Sequence, residues 1–348
     1  MSRITVLGSG AWGTAIALSL AGKGTHQVTL WAHIESEAHA MRTSRENKHF
    51  LPGFPLPYTL RITANDQLAV ADADILVSVI PSEFLRPTIA RLAPWMHPGQ
   101  ILLSATKGVE DTTYLRMTEV LKDCLLKAAV IPAIAPSDPA LTIPVGAMSG
   151  PSFALEVAQG QPTAITVAFT EPGIASRIQH EFSSTSLRLY SSDDVVGVEM
   201  GGAVKNVIAI AAGVAAGMGL GYNSAAALIT RGIAEITRLS MAAGARRETL
   251  LGLSGVGDLV LTCTGTLSRN RTVGMELGKG RKLPEILTAL DGKVAEGVRT
   301  TRAALGMACK LGVEMPITEQ MELILDEGKD PRLALQELML RPGREEAE

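Results

Sequence analysis

The sequence has little that could carry metal or disulfide chemistry. Its three cysteines, Cys124, Cys263 and Cys309, stand far apart. No C-x-x-C pair or zinc-type spacing occurs, which points to reduced thiols in a cytoplasmic protein. The six histidines (26, 33, 39, 49, 97 and 180) are scattered without an H-x-x-x-H pattern, so no metal site is expected. There is no surplus of charge either. Net charge is −3 and the pI about 6.1, which implies no general polyanion-binding surface and no nucleic-acid partner. The opening "MSRITVLGSG" lacks a charged-then-apolar leader. No stretch repeats. The longest uncharged run, 206–230, is interrupted by Gly213, Gly217, Gly219, Gly221 and the polar "YNS". Its continuous non-polar part, 207–220, suits a buried helix better than a span, so no stable membrane insertion is expected.

What is present can bury a core. The chain of 348 residues is 46% hydrophobic and 19% charged, and its length exceeds one ordinary core. Apolar, β-branched runs at 4–8, 27–32, 74–81, 101–108, 145–152 and 163–169 alternate with helical patterns such as 82–92 and 112–127. That alternation predicts an α/β domain with a doubly wound parallel sheet covered on both faces. Strand signals stop near Ser191. The later segments 195–217, 222–243, 269–279, 283–290, 299–311, 316–326 and 331–340 read as helices. The expected organisation is 1–191 as the α/β domain, 192–341 as an all-helical domain and 342–348 as a tail. A Pro-rich surface loop is expected over 133–144.

"GSGAWG" (8–13) has G-x-G-x-x-G spacing, directly after a strand and at the start of a helix, the context a dinucleotide site requires. Gly8 permits the tight turn, Gly10 lets backbone approach a pyrophosphate, and Gly13 lets helix and strand pack closely. The helix start offers N–H groups and a positive dipole end. Where an acid often holds the ribose, at the end of the second strand, the chain reads "WAHIE" with Ala32 and His33. Glu35 comes late, and Arg42 and Arg45 lie farther on. NAD and NADP both remain open.

Lys107 in "SATKG" falls at the C-terminal end of a strand, where ligands of open α/β sheets bind, although a solvated loop lysine fits the pattern equally. Ser152 in "SGPSFA" reads as a helix N-cap. "GVGDLVLTCTGTLSRNR" (255–271) combines a flexible turn, one acid and a Ser268-Arg269-Asn270 cluster. Such a cluster suits a phosphate or carboxylate, or merely starts a helix. In "GGAVKNVIAIAAG" (201–213), Lys205 shares a face with small residues and has no acid one turn away. It is either a buried lysine able to act as a base or a snorkelling stem.

Together these residues resemble bacterial NAD(P)-dependent glycerol-3-phosphate dehydrogenase over nearly the whole chain. The carrying motifs are "GSGAWGTAIA", "WAH", "SATKG", "SGPSFALEV", "GVEMGGAVKNVIAIAAG", "ALITRGIAEI", "GLSGVGDLVLTCTGTLSRNR" and "EGVRTT". The resemblance implies a Rossmann domain followed by a helical domain similar to the C-terminal part of 6-phosphogluconate dehydrogenase. It implies interconversion of sn-glycerol 3-phosphate and dihydroxyacetone phosphate with NAD or NADP, feeding phospholipid synthesis. By motif, Lys205 would be the proton acceptor. Lys107, Gly150, Ser152, Lys205, Asp258, Ser268, Arg269 and Asn270 would line the phosphorylated substrate. Gly8, Gly10, Ala11, Trp12, Gly13, His33, Lys107, Ala154, Arg269, Val294 and Glu296 would face the dinucleotide. A homodimer is compatible with this reading. Two other readings share the architecture: a β-hydroxyacid dehydrogenase that chooses a carboxylate, and a non-catalytic dinucleotide sensor. The intact lysine and "SRN" cluster argue against the sensor.

Overall fold

The computed structural model describes residues 1–132, 142–289, 296–343 and 345. Most of the Pro-rich loop, part of the tail and Val294 lie outside the described residues. The chain divides into two compact units, Met1–Glu199 and Met200–Glu348.

Among the described residues, the first unit has ten strands: β1 Arg3–Leu7, β2 Gln27–Trp31, β3 Glu46–Asn47, β4 Leu51–Pro55, β5 Arg61–Thr63, β6 Ile75–Ser78, β7 Ile101–Ser104, β8 Val145–Ser149, β9 Thr163–Ala168 and β10 Leu187–Ser192. Eight form one sheet in the order β10-β9-β8-β7-β6-β1-β2-β5, and β3–β4 is a separate hairpin. Successive side chains of a strand point to opposite faces. Ile75 and Val77 accordingly join one core cluster with Ile4, Val6 and the helical Ile16 and Leu20, while Leu76 joins another with Leu7, Leu85, Ile89 and Leu121. Both faces are therefore covered, and the central strands are buried and mostly apolar, with Thr5, Ser78 and Ser104 the buried polar exceptions.

One junction departs from the expected parallel sheet: β9 runs antiparallel to β8, and β10 then runs parallel to β9. The connection from Ser149 to Thr163 holds only the short helix Ala154–Ala158, close to the minimum length for a parallel crossover, and the chain reverses instead. β1 is flanked by β2 on one side and β6 on the other. Strand order thus switches at β1, and the crevice for ligands opens at its C-terminal end.

The helix Val195–Gly217 starts within the first unit. Val195 and Val198 pack with Ala147 and Ala168. The buried Glu199 accepts hydrogen bonds from Thr118 N (2.7 Å), Thr118 Oγ1 (2.7 Å) and Arg116 Nη1 (2.9 Å). Burial pushes this carboxyl above its usual range. The same helix is apolar and long enough by composition to cross a membrane, yet 94% of its apolar window is buried within the fold. It is a core helix of mostly small and branched side chains, interrupted by the buried Glu199, Lys205 and Asn206.

The second unit is helical among the described residues: Tyr222–Ala242, Arg247–Leu250, Asp258–Thr264, Arg269–Gly278, Leu283–Ala289, Glu296–Leu311, Pro316–Asp326 and Pro331–Met339 follow the first helix. The expected flexible turn before Asp258 is instead a π-helical turn, Leu253–Gly257, running straight into Asp258–Thr264. Glycine content alone suggested a break there, but backbone bonding continues through it.

Glu235, buried in Tyr222–Ala242, caps another helix from the side. It accepts from Ile317 N (2.6 Å), Thr318 N (3.3 Å) and Thr318 Oγ1 (3.2 Å) at the start of Pro316–Asp326. Burial outweighs these donors and pushes its carboxyl from the usual 4.5 up to about 7. A folded-state value above the unfolded one means that the folded chain binds the extra proton. Its stabilisation is full below pH 4.5 and is lost as pH rises through 7. Wild-type stability should fall by an amount on the order of 3 kcal/mol from this group across that window. Glu235→Gln should flatten that part of the profile, as read from urea midpoints at pH 5, 6 and 7.5.

Candidate active site

The glycine loop follows β1 directly. Gly8 has φ +120°, and a Cβ there would lie 2.9 Å from the Val79 carbonyl oxygen. A Cβ on Gly13 would run into the Gly8 carbonyl, so the helix Ala11–Gly22 can start only with hydrogen at that position. Over Gly10 the situation is opposite: a Cβ would meet nothing within 4 Å. The open space above Gly10, an N-cap without a side-chain bond, and a first helical turn without an acid form a cradle that fits a pyrophosphate. Buried Asn47, which sequence reading missed, ties the loop down by donating to Ser9 O (2.7 Å) and Thr14 Oγ1 (2.8 Å). Ala11 and Trp12 open the helix, and Trp12 packs partly buried against the core.

Because β1, β2, β7 and β8 all point the same way, the residues just past their ends share one sheet edge. Gly8, His33, Lys107, Gly150 and Ser152 all sit there. Lys107 is half-buried. Ser152 is not the expected N-cap: the helix begins two residues later behind Phe153, and the Ser152 hydroxyl turns back to donate to Gly150 O at 3.0 Å. Ala154 opens that helix. Arg42 is engaged by Glu35, and Arg45 donates to the carbonyls of Leu56 and Leu60. The cation beside the exposed His33 is Arg91, whose Nη2 lies 3.3 Å from His33 Nδ1 while its Nε pairs with Asp66 at 3.0 Å. No sequence signal links residues 58 apart.

In the second unit, Lys205 is 5% exposed and its ammonium is ion-paired with the fully buried Asp258. Its Nζ also donates to Thr262 Oγ1 (2.7 Å), which in turn donates to Asp258 O (2.6 Å). The lysine lacks an acid one turn away on its own helix but gains one from 53 residues away. Gly201 makes this approach possible, since a Cβ there would collide with the Ser254 carbonyl in the π-helical turn leading to Asp258. Thr262 escaped sequence reading, although its i+4 spacing from Asp258 was the available signal.

Ser268 is the N-cap of Arg269–Gly278 and accepts from Arg271 N at 3.2 Å. Ser268 and Asn270 are buried and Arg269 is exposed. Asn270 Oδ1 accepts from Gly297 N at 3.0 Å, and Asn206 Nδ2 reaches Glu296 Oε2 at 3.5 Å. Asn270 and Glu296 are thereby brought into the neighbourhood of Asn206, the residue after Lys205. A buried lysine–carboxylate pair can carry a proton, and the side chains of Ser268, Arg269 and Asn270 are of types that can donate to an anion.

The sequence matches the family model described as the NAD-dependent glycerol-3-phosphate dehydrogenase N-terminus over residues 3–175, and its C-terminus counterpart over 194–336. It is 56% identical to the glycerol-3-phosphate dehydrogenase [NAD(P)+] of Acidobacterium capsulatum, covering 99% of this chain and 100% of that one. The enzyme of the same name from Koribacter versatilis is 53% identical, with 99% of each chain covered. The crystal structure of glycerol-3-phosphate dehydrogenase from Coxiella burnetii superposes with a TM-score of 0.89 at 37% identity, covering 98% of this chain and 99% of that one.

The two glycines of the loop should fail differently. Gly10→Val is expected to melt near wild type yet weaken NADH binding by about 100-fold, roughly 3 kcal/mol. Gly13→Ala should destabilise the fold itself by about 1–3 kcal/mol. Fluorescence titration and thermal melting read the two effects.

Proposed function

The chain belongs to the NAD-dependent glycerol-3-phosphate dehydrogenase family, and we propose that it interconverts sn-glycerol 3-phosphate and dihydroxyacetone phosphate with Lys205 as the proton carrier. It is an NAD(P)-dependent oxidoreductase acting on a CH–OH group. The observation that carries the role of Lys205 is its burial in an ion pair with Asp258 and a hydrogen bond to Thr262.

When bound, the cofactor would supply the hydride to C2 of the substrate as NAD(P)H, or accept it from there as NAD(P)+. Gly8, Gly10, Ala11, Trp12 and Gly13 would hold its pyrophosphate side, with His33, Lys107, Ala154, Arg269, Val294 and Glu296 along the rest. The protein's own task is the proton. In reduction, the Lys205 ammonium polarises the C2 carbonyl and donates a proton to the developing alkoxide. In oxidation, the amine takes the hydroxyl proton back. Asp258 and Thr262 hold Nζ in one position throughout, so that little reorganisation is needed as charge develops. Ser268, Arg269 and Asn270 take the phosphate, and Lys107, Gly150 and Ser152 complete the substrate's surroundings. We further place the enzyme in the cytoplasm as a homodimer, with its product used for phospholipid synthesis, on the strength of the family resemblance.

Lys205→Ala should lower kcat with dihydroxyacetone phosphate by about 10²–10⁴-fold, with the fold retained by circular dichroism. Near-normal turnover in that variant would remove the lysine from the mechanism. Preference of the wild type for a phosphate-free hydroxyacid over glycerol 3-phosphate would reject the substrate assignment.

A further inference from the structure

We propose that the backbone N–H of Gly297 acts as a positioning group that commits the Asn270 carboxamide to donate, not accept, toward the substrate's phosphate. The inference rests on the reading that Ser268–Asn270 take that phosphate. A carboxamide has one acceptor end and one donor end, and either could face a ligand. Here the end 3.0 Å from Gly297 faces an N–H donor, so it must be the oxygen. The NH₂ end is left pointing away from that bond.

Ser268 is committed in the same sense. Its Oγ faces Arg271 N–H at 3.2 Å, which directs the hydroxyl proton elsewhere. With the Arg269 guanidinium, which can only donate, the cluster presents donors to whatever binds it. Such a site favours a ligand whose oxygens are all acceptors, as in a fully ionised phosphate, and disfavours one that must itself donate.

Gly297 is suited to this role because nothing larger fits. A Cβ there would lie 2.8 Å from Asn270 Oδ1, from Asn206 O and from Ile210 Cδ1. The first turn of Glu296–Leu311 is thereby seated against the amide it orients.

The isosteric variant Asn270→Asp and the truncation Asn270→Ala together separate this role from a structural one. Aspartate keeps an acceptor for Gly297 N–H but replaces the NH₂ donor by a negative oxygen; alanine removes both. The expected result is that N270D raises KM for dihydroxyacetone phosphate by about 100-fold or more, exceeding N270A. Its melting temperature should nevertheless stay closer to wild type than that of N270A. Inorganic phosphate should raise the melting temperature of the wild type and not of N270D. A KM and phosphate response in N270D equal to wild type, with N270A alone impaired, would overturn the proposal and leave Asn270 a structural residue. If the wild type turns over no dihydroxyacetone phosphate, the functional reading fails, and the phosphate-dependent melting of N270D against wild type still decides the orientation of Asn270.

Discussion

The buried ion pair between Lys205 and Asp258 is the constraint around which the second unit is organised. A lone ammonium in an apolar helix would pay a large desolvation cost, and an uncompensated buried charge left by removal of its partner costs about 3–5 kcal/mol. The helix Val195–Gly217 therefore tolerates Lys205 only because another segment delivers a carboxylate to it. That delivery requires close backbone approach, and Gly201 permits it against the π-helical turn Leu253–Gly257. The turn launches Asp258–Thr264, whose first residue pairs with the lysine and whose Thr262 braces it. A charge that is costly to bury is thus held in one geometry, which is what proton transfer needs.

The first unit meets the opposite problem. Its glycine loop presents backbone dipoles and empty space, a setting suited to an anion. Gly8 and Gly13 close the turn, Gly10 leaves room, and Asn47 fixes the loop from the β3–β4 hairpin. The switch of strand order at β1 puts that loop at the crevice. Cradle and ion pair both depend on glycines where a single methyl group would collide with a carbonyl.

Legibility followed the range of the interaction. The central strands β1, β6 and β7 are apolar on both faces, and their runs announced them. β5, with three residues, and β10, with its polar "LRLYSS", are edge strands that lack such runs. β4 carries Pro52, Gly53 and Pro55 and reads as a loop. The reversal at β9 left no trace in composition, because strand direction depends on where the connection can travel. Ser152 looked like a cap because its residue type fits; the backbone placed the helix start two residues on. At Ser268 the helix start, one of two readings open in the sequence, is a cap whose bond spans only three residues.

The sequence by itself determined the local chemistry: the glycine turn before a helix, the buried character of the lysine helix, and a helix start near Ser268. Each depends on residues within a few positions of one another, where chain geometry leaves few alternatives. Only the tertiary structure decided which partners those groups meet. Asp258 for Lys205, Gly297 for Asn270, Arg91 for His33 and Asn47 for the glycine loop all come from distant segments. Those contacts arise from packing across elements, and periodicity carries no record of which helix will lie beside which.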